Sequence, residues 1–189
     1  MRIRPALAKG FLRLSGWALE GERPAARSYV LIAAPHTTNW DLLYFLAHAW
    51  AFEIEVSWMG KHTLFRGPMG PVMRCLGGIP VYRDRVGGLV AQMARAFERQ
   101  PDLVLTVPPE GTRRYVAHWK SGFYQIARAA NVPIVMGYLD YTRRRGGLGP
   151  ALVTTDDLRQ DMDEIRAFYA DKRGKHPERF GEVRLKEET

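Results

Sequence analysis

A chain of 189 residues, 46% hydrophobic and 25% charged, is long enough for one domain with a sizeable core, and its composition excludes extended disorder. Its 28 Lys+Arg against 20 Asp+Glu give a formal net charge of +8, which favours an anionic partner such as a phosphate, a nucleic acid or an acidic membrane surface. The single cysteine, Cys75, excludes an internal disulfide and fits a reducing compartment, and no apolar run reaches the ~18 residues of a spanning helix.

Met1 to Pro5 is basic, but no long apolar stretch or small-residue cleavage site follows, so no signal peptide is expected. Leu7, Phe11, Leu14 and Ala18 recur at helical spacing, with Lys9 and Arg13 among them and Trp17 close by. This predicts an amphipathic helix within an N-terminal segment, 1–22, suited to a membrane interface or to packing on the domain that follows over 23–189. Tyr29 to Ala34 reads as a buried strand, and Thr38 or Asn39 as the cap of a helix from about Trp40 to Phe52. Ile54 to Met59 alternates as a second strand, and Arg66 to Pro71 is a breaker-rich turn before a short helix. Gly78 to Arg83 reads as a strand, Gly88 to Arg99 as a helix and Leu103 to Val107 as a strand ending at Pro108-Pro109. Ser121 to Ala130 is a helix and Pro133 to Leu139 a strand. Arg143 to Gly147 reads as a solvated turn and Ala151 to Thr154 as a last short strand. Thr155 or Asp156 then caps a helix with Leu158, Met162, Ile165 and Tyr169 on one face, and a charged tail from Lys172 is expected to be mobile or surface-bound. The alternation implies an α/β domain with a central mixed, largely parallel sheet flanked by helices, whose ligands sit beyond the carboxyl ends of the strands.

Three polar regions carry chemistry. His36 and Asp41 follow the Tyr29–Ala34 strand directly. Five positions apart in a continuous helix, they would be rotated by about 140° and would not meet. They meet if His36 stays in the turn and Asp41 enters the first helical turn. An imidazole is the side chain best matched to taking a proton near neutral pH, and a carboxylate fixes its tautomer. No Gly-x-Ser-x-Gly elbow is present, and Cys75 has no evident partner. The nucleophile is therefore expected to come from the substrate, as a hydroxyl or amine. Glu110, Gly111, Thr112 and Arg113 follow another strand. The glycine admits close backbone approach, Arg113 has a planar fork for phosphate, and Glu110 is placed to hold a basic group or orient a hydroxyl. Lys61, Phe65, Arg66, Arg74 and the run from Gly77 to Arg83 form a third, basic region. The five histidines form no metal-binding spacing, and the basic residues match no nucleic-acid motif, so neither a metal nor a nucleic-acid partner is expected.

In this order the regions resemble the glycerolipid acyltransferase family, typified by 1-acylglycerol-3-phosphate acyltransferases. The family's His-x-x-x-x-Asp motif is matched by His36 and Asp41. Its Phe-Arg and Gly-x-Ile-x-Val-x-Arg elements are matched by Phe65-Arg66 and Gly77 to Arg83, its Glu-Gly-Thr-Arg by Glu110 to Arg113, and its Val-Pro-Ile-Val by Val132 to Val135. Pro35 stands where Asn is usual, Tyr82 where a small polar or acidic residue is common, and Met136 where Pro is usual. These departures bear on the acceptor more than on the chemistry. The resemblance covers roughly residues 29–140 and implies a glycerol-3-phosphate acyltransferase-like fold. It also implies acyl transfer from acyl-CoA or acyl carrier protein, used as co-substrate with no bound cofactor, to a hydroxyl of a lysophospholipid or related lipid. His36 would be the general base and Asp41 its orienter. Arg66, Arg83 and Arg113 would bind phosphate, Glu110, Gly111 and Thr112 would shape the pocket, and Lys61 would add charge nearby. The expected location is cytoplasmic, peripheral to the inner face of the membrane. A non-catalytic lipid- or anion-binding protein that keeps the fold is the alternative.

Overall fold

The six apolar residues of β2 (Tyr29–Ala34) form the middle strand of the sheet because both of its faces are covered. Val30 and Ile32 face one side and Tyr29 and Leu31 the other, and all four are buried. The structure is a computed structural model and describes residues 3–82 and 88–188. In chain order its elements are α1 (Ile3–Leu14), β1 (Ala18–Glu20), β2, α2 (Trp40–Ala51), β3 (Val56–Lys61), a 3-10 turn (His62–Phe65), α3 (Met69–Cys75) and β4 (Gly78–Val81). There follow α4 (Gly88–Arg99), β5 (Val104–Val107), α5 (Gly122–Ala130), β6 (Ile134–Asp140), β7 (Arg145–Leu152) and α6 (Leu158–Tyr169). Arg83, expected to end a strand and to bind phosphate, lies outside the described residues.

The strands form one mixed sheet in the order β1-β7-β6-β2-β5-β3-β4. Every pairing is parallel except β6 with β7. On one face, Met93 and Phe97 of α4, Phe123 and Ile126 of α5, and Met162 and Ile165 of α6 pack on Val30, Ile32 and Leu105. On the other, α2 covers Tyr29, Leu31, Val56 and Val104 through Phe45, Leu46 and Ala49. α1 lies outside α2, joined through Ala8, Leu12, Trp17, Ala47 and Ala51. Burying one leucine such as Leu12 contributes about 1.5–3 kcal/mol to that contact.

The N-terminal segment departs from the expected single helix. α1 ends at Leu14, Gly16 turns the chain at φ +75°, and residues 18–20 join the sheet as β1. The stripe read as its apolar face is largely the outer one: Leu7 and Leu14 are 67% and 91% exposed, while Ala8 and Leu12 are buried. The helix carries two apolar faces, and tertiary packing selected the one with the smaller residue, Ala8, because alanine allows close approach to Ala47 and Ala51. The stretch expected as a solvated turn before a short strand is mostly β7, which starts at Arg145 and pairs with β6 and β1. Its Gly146, Gly147 and Gly149 have no strand propensity. Each stands where a Cβ would crowd a neighbour: the Glu20 carbonyl oxygen on β1 at 1.8 Å from Gly147, His48 Nε2 at 2.5 Å from Gly146 and the Phe168 ring at 2.4 Å from Gly149.

The expected caps also shift. Of the two expected caps of α2, Asn39 makes no side-chain bond, while the Thr38 hydroxyl accepts the Trp40 amide at a long 3.5 Å. Asp157, rather than Thr155 or Asp156, caps α6 by accepting from the Arg159 and Gln160 amides. The charged tail is docked: Val183 and Leu185 are buried, and Leu185 bridges to Trp119.

Candidate active site

β5, β2 and β6 are neighbouring parallel strands, so the turns that follow them emerge side by side at one edge of the sheet. These turns deliver Glu110, His36 and Tyr141 respectively. Asp41 arrives with the first turn of α2, where a carboxylate also favours the helix dipole. Its Oδ2 accepts the Thr37 and Thr38 amides at 2.8 and 2.9 Å, satisfying two donors of the turn that leads into α2. The carboxylate thereby folds the turn back on itself and brings Oδ2 to 3.2 Å from His36 Nδ1. An imidazole that directs Nδ1–H at this carboxylate leaves its Nε2 lone pair free to accept a proton. Asp41 is 3% exposed, and its other oxygen accepts the Tyr141 hydroxyl at 2.8 Å.

Glu110 bonds the main chain of the histidine turn. It is 2% exposed, and its Oε1 accepts the His36 backbone N–H at 2.9 Å, so it pins the histidine's main chain rather than a basic side chain. Its Oε2 is buried without a hydrogen-bond partner. Burial pushes the carboxyl up to about 7, against the lowering effect of the His36 amide. Gly111 follows at φ +66°, a left-handed conformation that suits glycine, and the Lys120 ammonium lies over it. Thr112 is half-buried, its hydroxyl accepting from the Arg114 amide at 3.4 Å.

His36 and Asp41 line a cavity of about 260 Å³. Its wall is mostly apolar: Leu42, Phe45 and Leu46 from α2, Val56, Trp58 and Met59 from β3, and Leu139 from β6. Arg113 is exposed and lines the same cavity. Lys61 and Arg66 are exposed residues at the carboxyl end of β3 and after the 3-10 turn, on the same sheet edge but not in the cavity lining. The structure thus gathers His36, Asp41, Glu110 and Arg113 closely and sets Lys61 and Arg66 apart.

Sequence reasoning missed two supports. Tyr141 follows the carboxyl end of β6, where the rule that flagged His36 and Glu110 applies equally. The C-terminal tail braces the histidine turn: the His176 amide donates to Thr37 Oγ1 at 3.2 Å and Arg179 Nη1 to the Thr37 carbonyl at 3.3 Å. Lys175 Nζ sits 5.5 Å above the Trp40 ring. No local pattern in those residues marks the contact. Among the described residues, no three metal-ligating side chains converge.

The family model described as Acyltransferase matches residues 18–137, well over half of the chain. Among curated proteins nothing matches. Among solved structures, the crystal structure of the 1-acyl-sn-glycerophosphate (LPA) acyltransferase PlsC from Thermotoga maritima is similar in fold, with a TM-score of 0.60 and 17% identity over 86% of this chain and 74% of that one.

Proposed function

From the premise that this chain belongs to the acyltransferase family, we propose that it moves a fatty acyl group from a thioester, acyl-CoA or acyl carrier protein, to a hydroxyl of a lysophospholipid or related lipid. The observation that carries this reading is the His36–Asp41 pair on the wall of an apolar cavity that also holds Arg113. His36 Nε2 takes the proton of the acceptor hydroxyl as that oxygen attacks the thioester carbonyl carbon. The Asp41 carboxylate stabilises the imidazolium that forms. The tetrahedral intermediate collapses with cleavage of the C–S bond, and the imidazolium returns its proton to the departing thiolate. The products are an ester and a free thiol, and no enzyme nucleophile is consumed. General-base assistance of this kind contributes roughly 10²–10⁴-fold.

The apolar wall from Leu42 to Met59 suits the acyl chain, and the Arg113 fork suits a phosphate on acceptor or donor. Lys61 and Arg66 add positive charge at the same edge of the sheet, and Arg83 is assigned to phosphate binding on the motif match alone. No helix among the described residues is long and apolar enough to cross a membrane. The exposed Ile3, Leu7 and Leu14 on α1, beside Arg4, instead suit peripheral contact with an anionic lipid surface, in keeping with a place on the inner face of the membrane. Incubation with an acyl thioester and a panel of lysolipids, followed by mass spectrometry, tests the reading. A diacyl product from a phosphate-bearing lysolipid supports it. Liposome binding with no product from any acceptor supports the non-catalytic alternative.

A further inference from the structure

We propose that Tyr141 is a positioning residue for the acyl transfer: its hydroxyl, 2.8 Å from Asp41 Oδ1, fixes the carboxylate so that Oδ2 faces His36. The inference rests on His36 acting as the base. It goes beyond the sequence motifs, because Tyr141 lies outside them and outside the matched residues 18–137.

A carboxylate held only by groups on one of its oxygens can rotate about its Cβ–Cγ bond and exchange the two. The donors on Oδ2 are the Thr37 and Thr38 amides, and His36 Nδ1 lies against the same oxygen. Tyr141 is the donor on Oδ1, and a fourth point of contact removes the rotation. The phenol is itself held from several sides. Its ring meets Trp17 edge-on at 5.0 Å and Tyr44 at 6.1 Å. Its amide donates to the Arg173 carbonyl at 2.9 Å. The turn that presents it is locked by Asp140, which is 1% exposed and accepts the Thr142 and Arg143 amides and the Arg143 Nε. Burial and the Asp41 charge hold the Tyr141 phenol well above its ordinary titration range, so it stays a donor. The titratable groups around the carboxylate are His36 from the turn, Glu110 from the β5 side, and Tyr141 with Tyr44 behind it.

The test is Tyr141→Phe, which keeps the ring in its Trp17 and Tyr44 contacts, assayed with His36→Ala and in the Asp41→Asn background. Expected are a fall in kcat of about tenfold, the factor for one hydrogen bond to a charged group, and little change in KM. In the Asp41→Asn background, the same substitution should add little. The inference is overturned if His36→Ala abolishes turnover while Tyr141→Phe leaves kcat where it was. It is equally overturned if Tyr141→Phe costs the same factor with or without the Asp41 carboxylate. Full activity in His36→Ala overturns the base reading itself, and this proposal with it.

Discussion

Glu110→Gln should flatten the dependence of stability on pH. In the folded protein Glu110 keeps its proton up to about pH 7, whereas the ordinary carboxyl releases it near 4.5. Between those values the folded state holds a proton that the unfolded chain has lost, so stability falls as pH rises. The contribution is fully present below about pH 4.5 and is lost as pH passes through about 7. At about 1.4 kcal/mol per tenfold change in proton affinity, the displacement amounts to about 3 kcal/mol. Glutamine is neutral throughout, and its carbonyl oxygen can still accept the His36 amide. Its NH₂ would occupy the place of the unpartnered Oε2, at a cost of about 1–3 kcal/mol that does not vary with pH. The diagnostic is therefore the slope. Urea midpoints measured from pH 5 to pH 8 should fall for the wild type relative to the variant, closing or reversing any deficit the variant has at pH 5. Parallel curves would refute the idea that this buried carboxyl holds its proton to near neutrality.

Two further substitutions probe the surroundings of the site. A Cβ at Gly174 would lie 2.8 Å from Thr37 Oγ1 and 3.0 Å from Pro35 Cβ, both on buried residues. Gly174→Ala should therefore cost about 1–3 kcal/mol of stability, read as a lower urea midpoint, and lower kcat by displacing the histidine turn. Arg113→Ala should raise KM for a phosphate-bearing acceptor by about tenfold or more, with a smaller effect on an acceptor lacking phosphate. Lysine at 113 should recover only part of the loss, because it has no planar fork.

The strand-then-polar-turn pattern made the site legible. β2 and β5 are buried on both faces, so their apolar runs stand out, and the residues just beyond them are the ones brought to the cavity. The meeting of His36 with Asp41 was foreseeable from the condition that one sits in the turn and the other in the first turn of α2. Glu110 was visible as a site residue, but its bond to a backbone amide was not, since main-chain partners leave no trace in the sequence. β1 and most of β7 were hidden for a related reason. Their pairing depends on glycines that admit a neighbouring backbone, and glycine reads locally as a breaker. The outer and inner faces of α1 were confused because both are apolar. Only the presence of α2 decides between Leu7 and Ala8.

The central claim is that His36 is the base of a thioester-consuming transfer. Its most direct test is the rate of thiol release from a long-chain acyl-CoA with lysophosphatidate as acceptor, compared between the wild-type chain and His36→Ala of matched thermal stability. A loss of about 10²–10⁴-fold at saturating substrates is predicted, and an unchanged rate would contradict the account.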